Sequence, residues 1–258
     1  MSNKAEPQAN TTDRQKESRN DLVFSYKTLR NLIGFSGMLL PVILALYTLK
    51  EEGDKLIEPS ISDYYYTSNG DIFVVILSVL AVFLFCYNGY NWKEKLWTIL
   101  AAVCGIGVAF CPTDTKYIRH SLSVHSPHTE GPKLFGFEWH FVFAILFFIS
   151  LSIISLYYFP MSDKKLTRKP GEKRTPKEKR NLVYKICGWT MISCVVILAL
   201  YFLIPSFNTA VGNFPMIFTF EAIAVEAFAV SWLTKGETFW PDGEHYIVST
   251  YKEIKRSI

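Results

Sequence analysis

Apolar residues in this chain are gathered into long blocks separated by short polar links, and the blocks set the first expectation. Six runs stand out: Leu29 to Leu49, Ile72 to Tyr90, Leu96 to Cys111, Trp139 to Phe159, Ile186 to Pro205 and Phe214 to Thr234. A bilayer core of about 30 Å takes roughly 20 apolar residues per helical span. The pattern therefore predicts an all-α, polytopic membrane bundle of six helices. The third run is the shortest and holds Gly105 and Gly107, so a tilted or buried segment is its alternative. A soluble protein with apolar core helices is excluded by the length of the uninterrupted runs.

Three regions are expected: a polar leader over 1–27 without stable structure, the membrane domain over 28–236, and a cytoplasmic tail over 237–258. The leader has no apolar core near its start, so no cleavable signal peptide is expected. Within the domain, residues 160–185 form a basic connector, SDKKLTRKPGEKRTPKEKRNLVYK over most of its length.

Charge then orients the bundle. With the amino terminus inside, all but Lys50, Lys55, Lys116, Arg119 and Lys133 of the 27 basic residues fall on the cytoplasmic side. Both termini are thus expected in the cytoplasm, with the protein a multi-pass component of the plasma (inner) membrane. The net charge of +4 reflects topology, and nucleic acid is not an expected partner. Membrane lipids are, with anionic headgroups at the connector.

The same topology collects polar residues at the outer face. The hairpin EPSISDYYYTSNGD brings Ser60, Ser62, Asp63, Tyr64, Tyr65 and Asp71. CPTD brings Thr113 and Asp114, EWH brings Glu138 and His140, and the last run brings Glu221. Glu221 lies seven residues past Phe214, about 10 Å deep at 1.5 Å per residue. An acid at that depth is costly unless protonated, paired or facing water. Glu226, five residues on, points about 140° away and shares no face with it. The tyrosines have a plainer reading as an aromatic belt, and Asp63 and Asp71 as loop and cap residues.

Other candidate chemistry is thin. His120, His125 and His128 lie in an irregular Pro-containing loop, and the five cysteines fall inside the apolar runs with no zinc or redox spacing. No cofactor is expected; if a metal is held, His140, Asp63 and Glu221 are its ligands.

The residues also resemble a known group. ISD over Ile61 to Asp63, Ile72 and Phe73 opening the second run, His140 opening the fourth and Glu221 early in the sixth are similar to the DRAM-like membrane family. That family includes autophagy modulators and GPI-anchor remodelling proteins. Tyr64 and Tyr65 replace its usual Thr-Gly, and Ala222 its usual Trp. The chain resembles more closely a bacterial six-span set with an ISxYY hairpin, a Cys-Pro-Thr exit and a closing SWLTKG, here Ser231 to Gly236. The resemblance implies a six-span fold with Ser62, Asp63, His140 and Glu221 at its polar end.

Three functions remain open. One is a lipid-binding or lipid-sensing protein whose hairpin clasps a headgroup through Ser60, Tyr64, Tyr65, Asp71 and Asp114. Another is an acyl hydrolase or acyltransferase, with Ser62 attacking, and Asp63, His140 and Glu221 as general-base or metal-binding groups. A proton-coupled transporter resting on Glu221 and Glu226 lacks the internal repeats such proteins use.

Overall fold

The structure, a computed structural model, describes residues 11–51, 57–67, 70–89, 91–111, 113, 133–134, 137–161, 175–211 and 214–240. Its helices are α1 (Thr11–Glu51), α2 (Gly70–Cys86), α3 (Trp92–Phe110), α4 (Trp139–Ile153), α5 (Pro176–Leu203), α6 (Pro205–Val211) and α7 (Met216–Lys235). A 3₁₀ turn occupies Ser62–Tyr66, and α4 continues into a π-helical turn at Ile154–Tyr158. Two-residue strands β1 (Lys133–Leu134) and β2 (Phe137–Glu138) pair antiparallel just before α4.

Four segments are long and apolar enough to cross a membrane: Tyr26–Leu46, Trp139–Tyr158, Pro176–Leu203 and Met216–Lys235. The second and third expected runs form helices of a different kind. With 17 residues, α2 reaches only about 26 Å. In α3 the helix starts four residues before the apolar run, because Asn91 caps it by accepting from the Glu94 amide, which draws Lys93, Glu94 and Lys95 into the first turn.

Other boundaries also moved. Residues from Thr11 onward, expected to lack structure, belong to the 41-residue α1. No Gly or Pro interrupts 11–25, so the helix of the span propagates backward at one hydrogen bond per residue. Likewise α5 starts inside the basic connector, at a capping box in which Thr175 and Glu178 each bond the other's backbone amide. It stops at Leu203 because Pro205 cannot continue it. The connector over 162–174, the tail from 241, and His120, His125 and His128 lie outside the described residues.

Each helix packs on its sequence neighbour, α1 on α2, α2 on α3, α3 on α4 and α4 on α5; α5 and α1 both pack on α7, which closes the ring. Close approach is made by small residues, as expected where lipid removes the hydrophobic drive between helices. Gly34 and Gly37 of α1 lie against Leu233 and Phe228 of α7, and Gly107 of α3 lies against the Phe143 ring of α4. Apolar side chains also face outward, as with Phe35, Leu39, Val42 and Leu46 along α1. Helices apolar all round are what a bilayer demands.

Candidate functional site

At the end formed by the hairpin, the exit of α3 and the starts of α4 and α7, polar groups meet over buried apolar side chains. Ile61, Tyr64, Phe73, Leu77, Val108 and Phe218 form the floor. The hairpin folds tightly here because the Ser60 hydroxyl accepts from the Asp63 amide at 3.0 Å, and the Thr67 amide and hydroxyl both donate to the Tyr64 carbonyl. Such local bonds from Ser and Thr favour turns over helix extension.

Two contacts pin this turn to α7. The Phe218 amide, one of the unpaired donors at the helix start, donates to the Pro59 carbonyl at 2.8 Å. The Ile61 amide donates to Glu221 Oε2 at 2.7 Å, across 160 residues of chain. Glu221 thus spends its acceptor on a backbone amide, which is how an acid at this depth is tolerated. Asp63 is close enough to Glu221 for the two carboxyls to interact electrostatically.

A third contact joins the turn to the α3 exit. The Thr113 hydroxyl donates to Asp63 Oδ1 at 3.3 Å, and the Tyr66 hydroxyl donates to the Thr113 carbonyl. His140, buried in the first turn of α4, bonds through Nδ1 to the Cys111 carbonyl at 2.7 Å, so Nδ1 carries the proton and Nε2 is left as acceptor. Ser60, Ser62, Asp63 and Tyr64 are all buried, whereas Tyr65 is half-buried, edge-on to Tyr66. Asp71 stands exposed in the first turn of α2 and takes no part. Asp114 lies outside the described residues.

What the cluster does chemically follows from these partners. No hydrogen bond joins Ser62 to His140, Asp63 or Glu221, so the expected nucleophile stands without a base. Among the described residues no group of three His, Cys, Asp or Glu side chains is placed to hold a metal ion. Glu226 is half-buried, one and a half turns further along α7. The arrangement is instead a set of backbone and side-chain bonds closing one loop over an acid pair.

Burial raises the Asp63 carboxyl from its ordinary 3.8 to about 6, against the lowering effect of its bonds with Ser60 and Thr113. Folded Asp63 therefore holds its proton more tightly than the unfolded chain does. Its contribution is fully present below about pH 4 and is lost as pH rises through about 6, on the order of 3 kcal/mol in total. Thermal unfolding of the wild type at pH 4.5 and 7.5, beside Asp63→Asn, checks this: the wild type should lose stability relative to the variant at the higher pH.

A second polar centre lies at the opposite end, and sequence reading missed it. Glu94 is 1% exposed and accepts from the Tyr87 hydroxyl at 3.0 Å. The buried Arg30 guanidinium sits 5.6 Å over the Tyr87 ring, within electrostatic reach of Lys235. Burial pushes the Tyr87 phenol well above its ordinary range, with the Arg30 cation acting the other way. Lys235 donates to the Phe159 carbonyl at 3.2 Å, which the π-helical turn delivers beside Trp232. Lys27 pairs with Glu237 at 2.7 Å, and Glu237 itself has φ of 61°, the left-handed position usually given to glycine after a helix. In the sequence Arg30, Lys93, Lys95 and Lys235 read only as topology-setting charges. The one signal for more was Glu94 between two lysines beside an apolar run.

Comparison of the chain with protein-family models, with curated proteins and with solved structures yields no match.

Proposed function

We propose that the protein is a six-span, lipid-binding or lipid-sensing membrane protein of the DRAM-like kind, with both termini in the cytoplasm. In this reading it resides in the plasma (inner) membrane, with the hairpin as a clasp over an outer-facing headgroup site. The observation that carries it is the Ile61 amide on the Glu221 carboxyl. That contact is a single exchangeable bond from a loop donor. A lipid hydroxyl offers an equivalent donor to the same oxygen, and a lipid ammonium offers one with positive charge. Asp63 beside Glu221 makes the site acidic, which favours a headgroup rich in donors over a bare phosphate. The half-buried Tyr65 supplies an apolar wall with a polar tip, above the buried Tyr64 ring.

Native mass spectrometry of the protein released from vesicles of phosphatidylethanolamine and phosphatidylcholine tests the reading. Phosphatidylethanolamine should be retained preferentially, and Glu221→Gln and Asp63→Asn should each abolish the preference. Equal retention of both lipids by wild type and variants would end the clasp proposal.

A further inference from the structure

A second lipid site is suggested by a feature that the clasp does not use. Between α5 and α7 runs a crevice of about 500 Å³, open to the side and lined along α5 by Lys185, Ile186, Trp189, Thr190, Ser193 and Ile197. Cys194 forms its buried floor, and Phe220 and Ile223 of α7 close its far half. From Lys185 to Ile197 is twelve residues, about 18 Å of helix. That matches one leaflet's share, about 15 Å, of a hydrocarbon core about 30 Å thick.

The polarity of the crevice is graded. Lys185 stands at the basic end of α5, near the level where Tyr184 packs on Phe159 and Phe159 on Trp232. Its exposed ammonium is long enough to reach the interface while its stem covers apolar surface. One to two turns deeper, the hydroxyls of Thr190 and Ser193 line the crevice, and neither bonds to another of the described residues. Beyond them the lining is entirely apolar or a thiol. A cation, then two free hydroxyls, then an apolar slot is the sequence of groups that complements a phosphate, a glycerol diester and an acyl chain. A second copy of the chain would leave the Thr190 and Ser193 hydroxyls facing an apolar helix surface.

We infer that the α5–α7 crevice holds one anionic glycerophospholipid, its phosphate on Lys185, its ester carbonyls near Thr190 and Ser193 and one acyl chain against Cys194, Phe220 and Ile223. Its Lys185 end lies on the side where Tyr184, Phe159 and Trp232 pack together, away from the hairpin, and the inference does not rest on the clasp.

The test uses the full chain in vesicles of dioleoylphosphatidylcholine carrying a minor fraction of dioleoylphosphatidylglycerol, followed by native mass spectrometry. The wild type should retain one phosphatidylglycerol at least fivefold above its membrane fraction. Lys185→Gln should remove that enrichment, while Lys179→Gln, a neighbouring exposed lysine outside the crevice, should keep it. Ile223→Trp, which fills the crevice from an exposed position, should remove bound lipid of both kinds, and an unchanged thermal midpoint shows that the variant folds. Enrichment that survives both Lys185→Gln and Ile223→Trp would overturn the inference. So would enrichment lost equally in Lys179→Gln, which would mean diffuse attraction to basic residues. Dimers abolished by Ile223→Trp would overturn it too, by assigning the crevice to a second copy.

Discussion

Glu94→Gln should destabilise the protein by about 3–5 kcal/mol, the usual consequence of removing one charge from a buried ionic group. Glu94 is the buried acid within electrostatic reach of both Lys235 and the Tyr87 phenol, and Arg30 shares the same space. Glutamine can still accept from the Tyr87 hydroxyl, so the loss isolates charge from hydrogen bonding. Tyr87→Phe, which deletes the hydroxyl and keeps the ring against Trp232, should lose only about 1–2 kcal/mol. The measurement is thermal unfolding in nanodiscs for these two single variants, for Arg30→Gln alone, and for Glu94→Gln combined with Arg30→Gln. The double variant should be more stable than the sum of its parts, because both members of the pair are then neutral. Additive losses would mean that Arg30 and Glu94 are not coupled.

Gly70→Val should unseat the hairpin. A Cβ at Gly70 would fall on the carbonyl oxygen of Tyr65 and within 3.3 Å of the Tyr65 Cα. These are backbone atoms that no rotamer change can move. The turn must therefore lift, and it carries Ile61 from Glu221 and Asp63 from Thr113 as it goes. Overpacking of about 1–3 kcal/mol adds to the loss of those buried bonds, for an expected total of about 4 kcal/mol. Hydrogen exchange over 60–67 should speed up with little change in α3 or α5, because the clash is confined to the hairpin. Faster exchange throughout the bundle would show that the hairpin is integral to the fold rather than docked on it.

The two variants report on opposite ends of the bundle, and the ends were not equally legible. Apolar run length sufficed to reveal, though not to bound, the four segments Tyr26–Leu46, Trp139–Tyr158, Pro176–Leu203 and Met216–Lys235, since a bilayer imposes a minimum apolar length. Run length also put Ser60, Ser62, Asp63, Thr113, His140 and Glu221 near one end, because alternate links of an up-and-down bundle lie on the same side. It did not distinguish Asp63, which bonds Thr113, from Asp71, which stands exposed in the first turn of α2. Loop residues a few positions apart point in different directions once a 3₁₀ turn forms, and no periodicity announces that turn. The Ile61 amide as the partner of Glu221 was equally hidden, because a backbone amide carries no side-chain signature.

By itself, then, the sequence determined that the chain is helical, which segments are apolar enough to span a membrane, and which polar residues lie near their ends. All three follow from local chemistry: the length of an apolar run, the turn-forming bonds of Ser, Thr and Asn, and the conformational freedom of Gly. The tertiary structure decided which face of each helix looks inward. In helices apolar all round, composition is nearly the same on every face, and the choice falls to shape, as where Gly34 and Gly37 admit Leu233 and Phe228. That choice sets α7 against α1 and so completes both polar centres. It brings Glu221 under Ile61 at one end and Lys235 beside Arg30 and Glu94 at the other. Contacts between residues so far apart in the chain depend on how the ring closes, which no local stretch of sequence encodes.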